Sequence, residues 1–233
     1  MRAVVALDVP DHVLDNPAWS SLTGPHAGFA ERSGAAARYP ADVSPFAALP
    51  TDPDAAAWAG LAELAGTGAV VLTGPQHRPP PGWSVTALIP GVQLDGSAVA
   101  GAPDPEAIPL TEADVPEMLD LVRRTEPGPF EKRTRELGTY LGIRRGGALV
   151  AMAGERMHPA GWTEISAVCT DPAHRGQGLA ARLTLAVAAG IRARGDVPFL
   201  HTGALNAPAI RLYEALGFVL RRETSFDLVS PER

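Results

Sequence analysis

The chain has little cysteine, little lysine and no excess of positive charge. Its 233 residues include one cysteine, Cys169, so an intrachain disulfide framework is excluded. Its only lysine is Lys132, and the formal net charge of -6 at pH 7 argues against a nucleic-acid partner. The six histidines do not cluster at ligand spacing, so no metal site is predicted. They are His12, His26, His77, His158, His174 and His201.

Long apolar segments are also missing. No stretch approaches the roughly 20 apolar residues with which a helix spans a bilayer, so no membrane partner is predicted. The apolar run that follows Met1 is broken by Asp8 and Pro10, so we expect no signal peptide. One cysteine and no export signal are typical of a reduced, cytoplasmic protein.

Glycine and proline are abundant and concentrate near the middle of the chain. The segment 95–109, DGSAVAGAPDPEAIP, is rich in Gly, Ala and Pro and predicts a linker. We therefore expect one domain over residues 1–100 and a second over 108–233. In the first, 54–65 is a predicted helix, 69–73 a buried strand and 83–94 one or two strands.

The second predicted domain alternates helices with strands. Thr111 can cap a helix whose apolar residues recur at helical spacing. Arg145-Gly146-Gly147 predicts the turn of a hairpin. The other predicted elements are strands at 140–143, 148–157, 163–170, 198–202 and 218–229, and helices at 178–193 and 207–216.

The most informative segment is 164–180, EISAVCTDPAHRGQGLA. It predicts a β-branched strand, a turn with proline, and a glycine-containing loop that opens a helix. Backbone N–H groups at such a helix start have no partner within the helix and lie at the positive end of its dipole, which suits phosphate oxygens. No Lys-Ser or Lys-Thr follows Gly178, so a P-loop is excluded, and the spacing is not that of a dinucleotide-binding loop.

This segment resembles the acyl-CoA-binding motif of the GNAT acetyltransferases, [QR]-x-x-G-x-[GA], with Arg175, Gly178 and Ala180 at its fixed positions. A second stretch, Asn206 to Phe218, is similar to the family signature N-x-x-A-x-x-L-Y-x-x-x-G-F. The resemblance covers about 108–228. It implies an α/β fold of the α+β type, in which helices flank a mixed central sheet. The N-terminal half is then expected to be a degenerate copy of the same GNAT fold. It would complete the sheet or cover the acceptor cleft.

The resemblance also implies the substrates. Family members transfer an acetyl group from acetyl-CoA directly to an amine, so we expect acetyl-CoA as cosubstrate, no metal, and a small-molecule or peptide amine as acceptor. Family members also splay two strands beside the cofactor, which places the Val168 N–H near the acetyl oxygen. The residues implied to hold CoA are Val168, Cys169, Thr170, Arg175, Gly176, Gln177, Gly178, Leu179, Ala180 and Asn206.

Three residues are candidates for proton transfer. Tyr213 falls on the family's general-acid position, and a phenol with a pKa of about 10 can protonate departing CoA. Two residues are candidates for the general base, His201 and Glu164. A histidine side chain has an unperturbed pKa of about 6.5, which suits deprotonation at neutral pH. Strand alternation predicts that Glu164, Ser166, Val168 and Thr170 share the face that looks at the cleft.

The acceptor site is the least defined part of the prediction. The first helices and their loop, 123–137, would build it, with Glu126, Phe130, Glu131 and Arg133 as candidates. An acidic site would favour a cationic amine, whereas Arg133 would favour one that carries a carboxylate. A non-catalytic acyl-CoA-binding module is the alternative function, and a homodimer is possible. Cys169 is expected to be a buried hydrophobe rather than a nucleophile.

Overall fold

A mixed eight-stranded sheet organises residues 12–75 and 77–232, which the computed structural model describes. The apolar run before residue 12, where no signal peptide is predicted, lies outside these residues. The helices are α1 (Pro17–Leu22), α2 (Ala55–Ala65), α3 (Val115–Thr125), α4 (Leu179–Ala193) and α5 (Ala207–Ala215). The strands are β1 (Glu31–Ser33), β2 (Ala36–Arg38), β3 (Ala47–Ala48), β4 (Val70–Thr73), β5 (Trp83–Asp95), β6 (Ile108–Pro109), β7 (Tyr140–Arg145), β8 (Ala148–Glu155), β9 (Trp162–Thr170), β10 (Val197–Gly203) and β11 (Val219–Pro231).

The order of strands in the large sheet is β4-β11-β5-β10-β9-β8-β7-β6. β9 and β10 are parallel, and the other neighbouring strands are antiparallel. α4 packs on the sheet, where Leu183, Val187 and Ile191 are buried in one core cluster with Ile143 and Ile165. Burying each such side chain contributes about 1.5–3 kcal/mol. The predicted mixed sheet with flanking helices is confirmed.

Strands from the N-terminal part of the chain belong to this same sheet. β5 inserts between β10 and β11, and β4 forms the edge beyond β11. The smaller sheet β1-β2-β3 contacts β4 through a bridge between Phe46 and Val71. Strands on both sides of the predicted boundary near residue 100 thus share one sheet, and the division into domains 1–100 and 108–233 stays a prediction.

The segment predicted as a linker is packed tightly against α4. Val99 is buried in the core beneath the helix. Gly101 has a φ of 79°, and a Cβ there would collide with the backbone of Ala189. Asp104 forms a bidentate ion pair with Arg182, at 2.6 and 2.8 Å. The small residues of this segment therefore allow close packing on a helix, which composition alone does not distinguish from flexibility.

Helix starts follow the predicted capping residues with small shifts. Asp54 caps α2 by accepting from Ala57 N at 2.8 Å. Thr111 and Asp114 form a capping box around a short 3-10 turn, so α3 itself begins only at Val115. Capping hydrogen bonds between a side chain and the nearby backbone can be predicted from sequence, because both partners lie within one turn.

Two stacked histidines hold the N-terminal segment against the loop that follows β8. The rings of His26 and His158 lie 4.6 Å apart, and His26 Nδ1 bonds to the Tyr39 hydroxyl at 2.9 Å. Burial, together with the neighbouring His158, lowers the pKa of His26 from 6.5 to about 3. Burial also lowers the pKa of His158, against the opposing effect of Glu155. Both imidazoles are therefore neutral in the folded protein at neutral pH.

We expect the protein to lose stability in mild acid because of this pair. The folded-state pKa of His26 lies below its unfolded value of 6.5, so the unfolded chain binds the proton first as pH falls. Stability is complete above about pH 6.5 and declines below it, by up to about 1.4 kcal/mol per pH unit for each histidine. Urea unfolding between about pH 7 and about pH 5 measures this slope.

A substitution pair tests the assignment of that slope to the buried histidines. His26→Gln removes one of the two titrating groups and is expected to reduce the pH dependence, which His158 then carries alone. His12→Gln alters an exposed histidine and is expected to leave the slope as it is. If His26→Gln unfolds with the wild-type pH dependence, the acid sensitivity has another origin.

Candidate active site

Strands β9 and β10 separate at the point where the candidate site opens. Their parallel pairing ends at Leu200 and Ile165. β9 continues to Thr170, so residues 166–170 have no partner in β10. A cavity of about 980 Å³ is lined by these residues and by the end of β10. The predicted splaying is confirmed, and it frees main-chain groups for a ligand that lies along β9 like an added strand.

Ala167 marks a bulge in β9 beside the cavity. Its φ is 52°, a left-handed conformation that residues other than glycine rarely adopt. Cys169 pairs with Met152 of β8, whereas Ser166 pairs with Gly154, so β9 contains one extra residue between them. Strained backbone of this kind is concentrated at functional sites. The sequence does not indicate this backbone conformation, because the residue is an alanine.

Glu164 does not face the cavity as strand alternation predicted. Ser166, Val168 and Thr170 line the cavity, but Glu164 is fully buried and does not. The prediction that Glu164 reaches the cleft is wrong because Arg156 and His201, which both line the cavity, bond to its carboxylate and cover it.

Two glycines shape the turn between β9 and α4. Gly176 has a φ of 76° and Gly178 a φ of 72°, which glycine adopts without steric cost. A Cβ on either would meet no described atom within 4 Å, so the space beside them is open. Gly178 is the N-cap of α4 and has no side chain to bond its first amides. These N–H groups, at the positive end of the helix dipole, suit the phosphates of CoA.

Most of the residues implied to hold CoA come together here. Thr170 Oγ1 is buried and has no hydrogen-bond partner in the described part of the chain. A buried hydroxyl without a partner next to this turn is a further group that a ligand can satisfy. Gln177 does not line the cavity. The lining residues of the implied set are Val168, Cys169, Thr170, Arg175, Gly176, Gly178, Leu179, Ala180 and Asn206.

Helix α5 brings two further predicted residues to the cavity. Asn206 Oδ1 accepts from Ala209 N at 3.2 Å, so Asn206 caps α5 as predicted. Tyr213 lies two turns along the helix, lines the cavity, and packs edge-on against Phe218. Burial, with a smaller effect of Cys169, raises the pKa of Tyr213 to about 12. The phenol therefore keeps its proton at neutral pH, as a general acid must.

The single cysteine is part of the core. Cys169 packs in a buried cluster with Met118, Leu121 and Tyr140. Burial raises the pKa of its thiol to about 11, so little thiolate exists at neutral pH. This supports the expectation that Cys169 is a buried hydrophobe.

Behind the cavity, Glu164 links two buried side chains. Arg156 binds it with two hydrogen bonds of 2.8 and 2.6 Å, and His201 Nδ1 lies 2.6 Å from Oε1. Burial alone would raise the pKa of Glu164, but the charge and hydrogen bonds of Arg156, with the hydrogen bond from His201, hold it well below its usual value. Glu164 is therefore ionised, with its oxygens already bonded, which makes it a poor direct base.

Gln93 fixes the tautomer of His201. Its Oε1 accepts from Arg221 at 2.8 Å, and its Nε2 donates to Leu14 O at 2.8 Å and to His201 Nε2 at 3.0 Å. Because the Gln93 amide nitrogen can only donate, His201 accepts at Nε2 and donates Nδ1–H to Glu164. His201 lines the cavity, so it can take a proton once Nε2 exchanges the Gln93 contact for the acceptor or a water.

The far end of the cavity has an apolar wall that the sequence did not predict. The wall comes from β4, β5, β11 and the residue before β3, which meet only through long-range pairing. We define the apolar wall as Phe46, Val71, Ile89, Phe226 and Leu228.

The predicted acceptor residues are mostly elsewhere. Glu126 does line the cavity. Phe130 instead packs in the core with its ring 5.4 Å from that of Tyr140. Arg133 pairs with Glu136 at 2.7 Å. Phe130, Glu131 and Arg133 do not line the cavity, so their prediction as acceptor contacts is wrong; burial and local ion pairing account for the first and the last.

Residues 12–75 and 77–232 contain neither a candidate membrane span nor a candidate metal site. No helix there combines the length and the apolar character that crossing a membrane requires. Within the same residues, no group of three or more His, Cys, Asp or Glu side chains is placed to hold a metal ion.

The chain is similar to known acetyltransferases over most of its length. Residues 140–226 match a family model described as FR47-like protein. A crystal structure from Novosphingobium aromaticivorans, assigned to the GNAT family of acetyltransferases, is 44% identical with a TM-score of 0.89 and covers 96% of this chain and 100% of that one. The N-alpha-acetyltransferase RimI of Mycobacterium tuberculosis is 33% identical over 121 residues, 47% of this chain and 75% of that protein.

Longer acetyltransferases match only in part. The mycothiol acetyltransferase of Thermobispora bispora is 38% identical over 120 residues, which cover 46% of this chain and 38% of that protein. The matches to two further mycothiol acetyltransferases cover 46% and 45% of those proteins. The chain therefore spans less than half the length of the mycothiol acetyltransferases that it matches.

Proposed function

The chain belongs to the GNAT family of acetyltransferases, and on that premise we propose that it transfers the acetyl group of acetyl-CoA directly to a primary amine. One observation carries this proposal: a single cavity joins the open start of α4, the unpaired part of β9 and the protonated phenol of Tyr213. The name of the RimI relative specifies an α-amine acceptor, which supports a nitrogen nucleophile here.

The residues present fit acetyl-CoA. The turn at Gly176 and Gly178 leaves open space beside uncapped amides, which would hold the phosphates. Arg175 adds a guanidinium at the same turn, and Asn206 and the β9 backbone would hold the pantetheine arm. When bound there, acetyl-CoA supplies an activated acetyl thioester. We assign the cofactor-binding role to the turn and to β9, without Gln177, which does not line the cavity.

The proton-transfer roles follow from the cavity. His201 accepts the proton of the amine at Nε2, and Glu164 is a positioning residue that holds Nδ1–H and stabilises the imidazolium. The Val168 N–H donates to the carbonyl oxygen where negative charge develops. Tyr213 gives its proton to the leaving sulfur. A neutral amine gives one proton to His201 and Tyr213 gives one to the sulfur, which leaves an imidazolium and a phenolate until the proton returns from His201 to Tyr213 through solvent. An ammonium acceptor first loses its additional proton to water.

A non-catalytic acyl-CoA-binding module is the rival function. It would need the turn at α4 but neither a buried phenol nor an imidazole with a carboxylate partner. Tyr213 and His201 both line the cavity, which favours an enzyme. The cytoplasmic location and the homodimer stay predictions.

Thiol release tests this function. Purified protein is incubated with acetyl-CoA and pools of amines, amino acids, peptides and aminoglycosides, and free CoA is measured. We expect release that depends on one pool and exceeds hydrolysis without acceptor. If protein that binds acetyl-CoA releases no thiol above that background with any pool, the enzymatic proposal fails and the binding module is favoured.

A further inference from the structure

We propose that the acceptor is a primary amine on a compact apolar group, with no second positive charge, and that this group rests on the apolar wall. The inference deepens the proposed transferase function and rests on it. Three observations support it: the wall itself, the charges around the wall, and the position of His201 beside the wall.

The wall is one continuous apolar face. Val71 is the cross-strand partner of Leu228, and Ile89 is the partner of Phe226, so paired side chains lie on the same side of the sheet. The ring of Phe46 lies 6.1 Å from that of Phe226. Ile89 is 54% exposed although large and apolar, so the wall offers area that a ligand can cover.

The charges around the wall do not suit a polycation. Of the residues that line the cavity in the described part of the chain, Glu126 is the one carboxylate. The neighbouring cation, Arg156, is neutralised by its bidentate pair with Glu164. A polyamine or aminoglycoside would leave several ammonium groups without partners, which is costly in a partly desolvated site. An acceptor with a single ammonium group is not repelled by the neutralised Arg156. It also needs no further carboxylates as partners.

The wall also lies at the right place for the chemistry. The ring of Phe226 is 5.7 Å from the imidazole of His201, and Arg156 lies over Phe46 at 4.7 Å. An apolar group on the wall therefore places an amine on a short tether beside His201. The wall acts as a specificity element, because it binds the body of the acceptor while His201 meets its nitrogen.

A series of amines tests the proposal in wild-type protein. We expect kcat/KM for phenethylamine and isoamylamine to exceed that for ethylamine by about tenfold or more, since burying such a group is worth about 1.5–3 kcal/mol. Spermidine and kanamycin are expected to be poor acceptors. Higher kcat/KM for spermidine or kanamycin, or equal values along the alkyl series, would overturn the inference. If no amine, ethylamine included, raises thiol release, the proposed function itself has failed.

A matched pair of variants tests the wall. Ile89→Asp places a carboxylate on it, whereas Leu88→Asp makes the same change at the next position of β5, which is 66% exposed and outside the cavity lining. We expect Ile89→Asp to lower kcat/KM for phenethylamine about tenfold, to raise it for putrescine, and to leave the KM for acetyl-CoA unchanged. Leu88→Asp is expected to match wild type in all three.

The same variants distinguish other uses of the wall. If it held a longer acyl chain, hexanoyl-CoA would be the preferred donor and Ile89→Asp would reduce that preference. If it were covered by a second copy of the chain, Ile89→Asp would change the mass in solution and not the order of acceptors. Either result overturns the assignment of the wall to the acceptor.

Discussion

Gly178→Glu is expected to lower the affinity for acetyl-CoA by about 100-fold or more, which corresponds to ~2.8 kcal/mol. Gly178 begins α4 with a φ of 72°, where a residue with a Cβ is strained by about 1–2 kcal/mol. The glutamate would fill the open space beside the uncapped amides and bring a negative charge to the place proposed for the phosphates. Bulk and charge therefore both oppose binding.

The strain can be separated from the loss of the binding site with a second glycine. Gly146 lies in the turn between β7 and β8, with a φ of 56° and open space around its Cβ position. Gly146→Glu should cost about the same stability as Gly178→Glu but leave acetyl-CoA affinity intact. Calorimetric titration with acetyl-CoA and thermal unfolding of both variants measure this. Retained affinity in Gly178→Glu would show that the turn is not the phosphate site.

The parts of the fold that the sequence predicted are those set by local signals. The turn of Gly176 and Gly178, the cap at Asn206 and the hairpin at 145–147 depend on residues close in sequence. Each needs a residue type with a specific backbone or capping property. The structure therefore reproduces these elements within a few residues of the predicted bounds.

The parts that were missed depend on long-range pairing. Gln93 reaches His201 because β5 inserts between β10 and β11, and the same insertion puts Ile89 beside Phe226. No local pattern specifies which distant strand lies next to β10. The N-terminal segment contributes part of the apolar wall to the cavity. Its residues there are ordinary apolar ones, which a sequence does not distinguish from core residues.

Glu164 shows how a local rule fails at a site. Strand alternation assigned it to the cleft, but two side chains that line the cavity, Arg156 and His201, cover its carboxylate. A buried carboxylate needs partners, and Arg156 supplies them from the loop after β8 and His201 from β10. The useful signal in the sequence was chemical rather than geometric: Glu164 and His201 were both candidates for one proton transfer and turn out to be hydrogen-bonded to each other.

Tyr213→Phe is expected to lower kcat about 100-fold or more, while the dissociation constant of acetyl-CoA changes less than about twofold. The substitution keeps the ring that packs on Phe218 and removes only the hydroxyl, so the fold should be unaffected. Burial raises the pKa of this phenol to about 12, so it stays protonated at neutral and mildly alkaline pH. The wild-type rate should therefore show no alkaline loss from ionisation of Tyr213 near pH 10.

Tyr140→Phe is the matched control for this effect. The Tyr140 hydroxyl is fully buried, has no partner in the described residues and lies outside the cavity lining. Its removal should leave kcat and acetyl-CoA binding unchanged, and the stability unchanged or slightly higher. If Tyr213→Phe turns over like Tyr140→Phe, the proton for the leaving thiolate comes from water, and the phenol serves only to pack α5 against the sheet. A large loss in Tyr213→Phe alone, with affinity retained, assigns the proton to this hydroxyl, because binding and packing are the same in both variants.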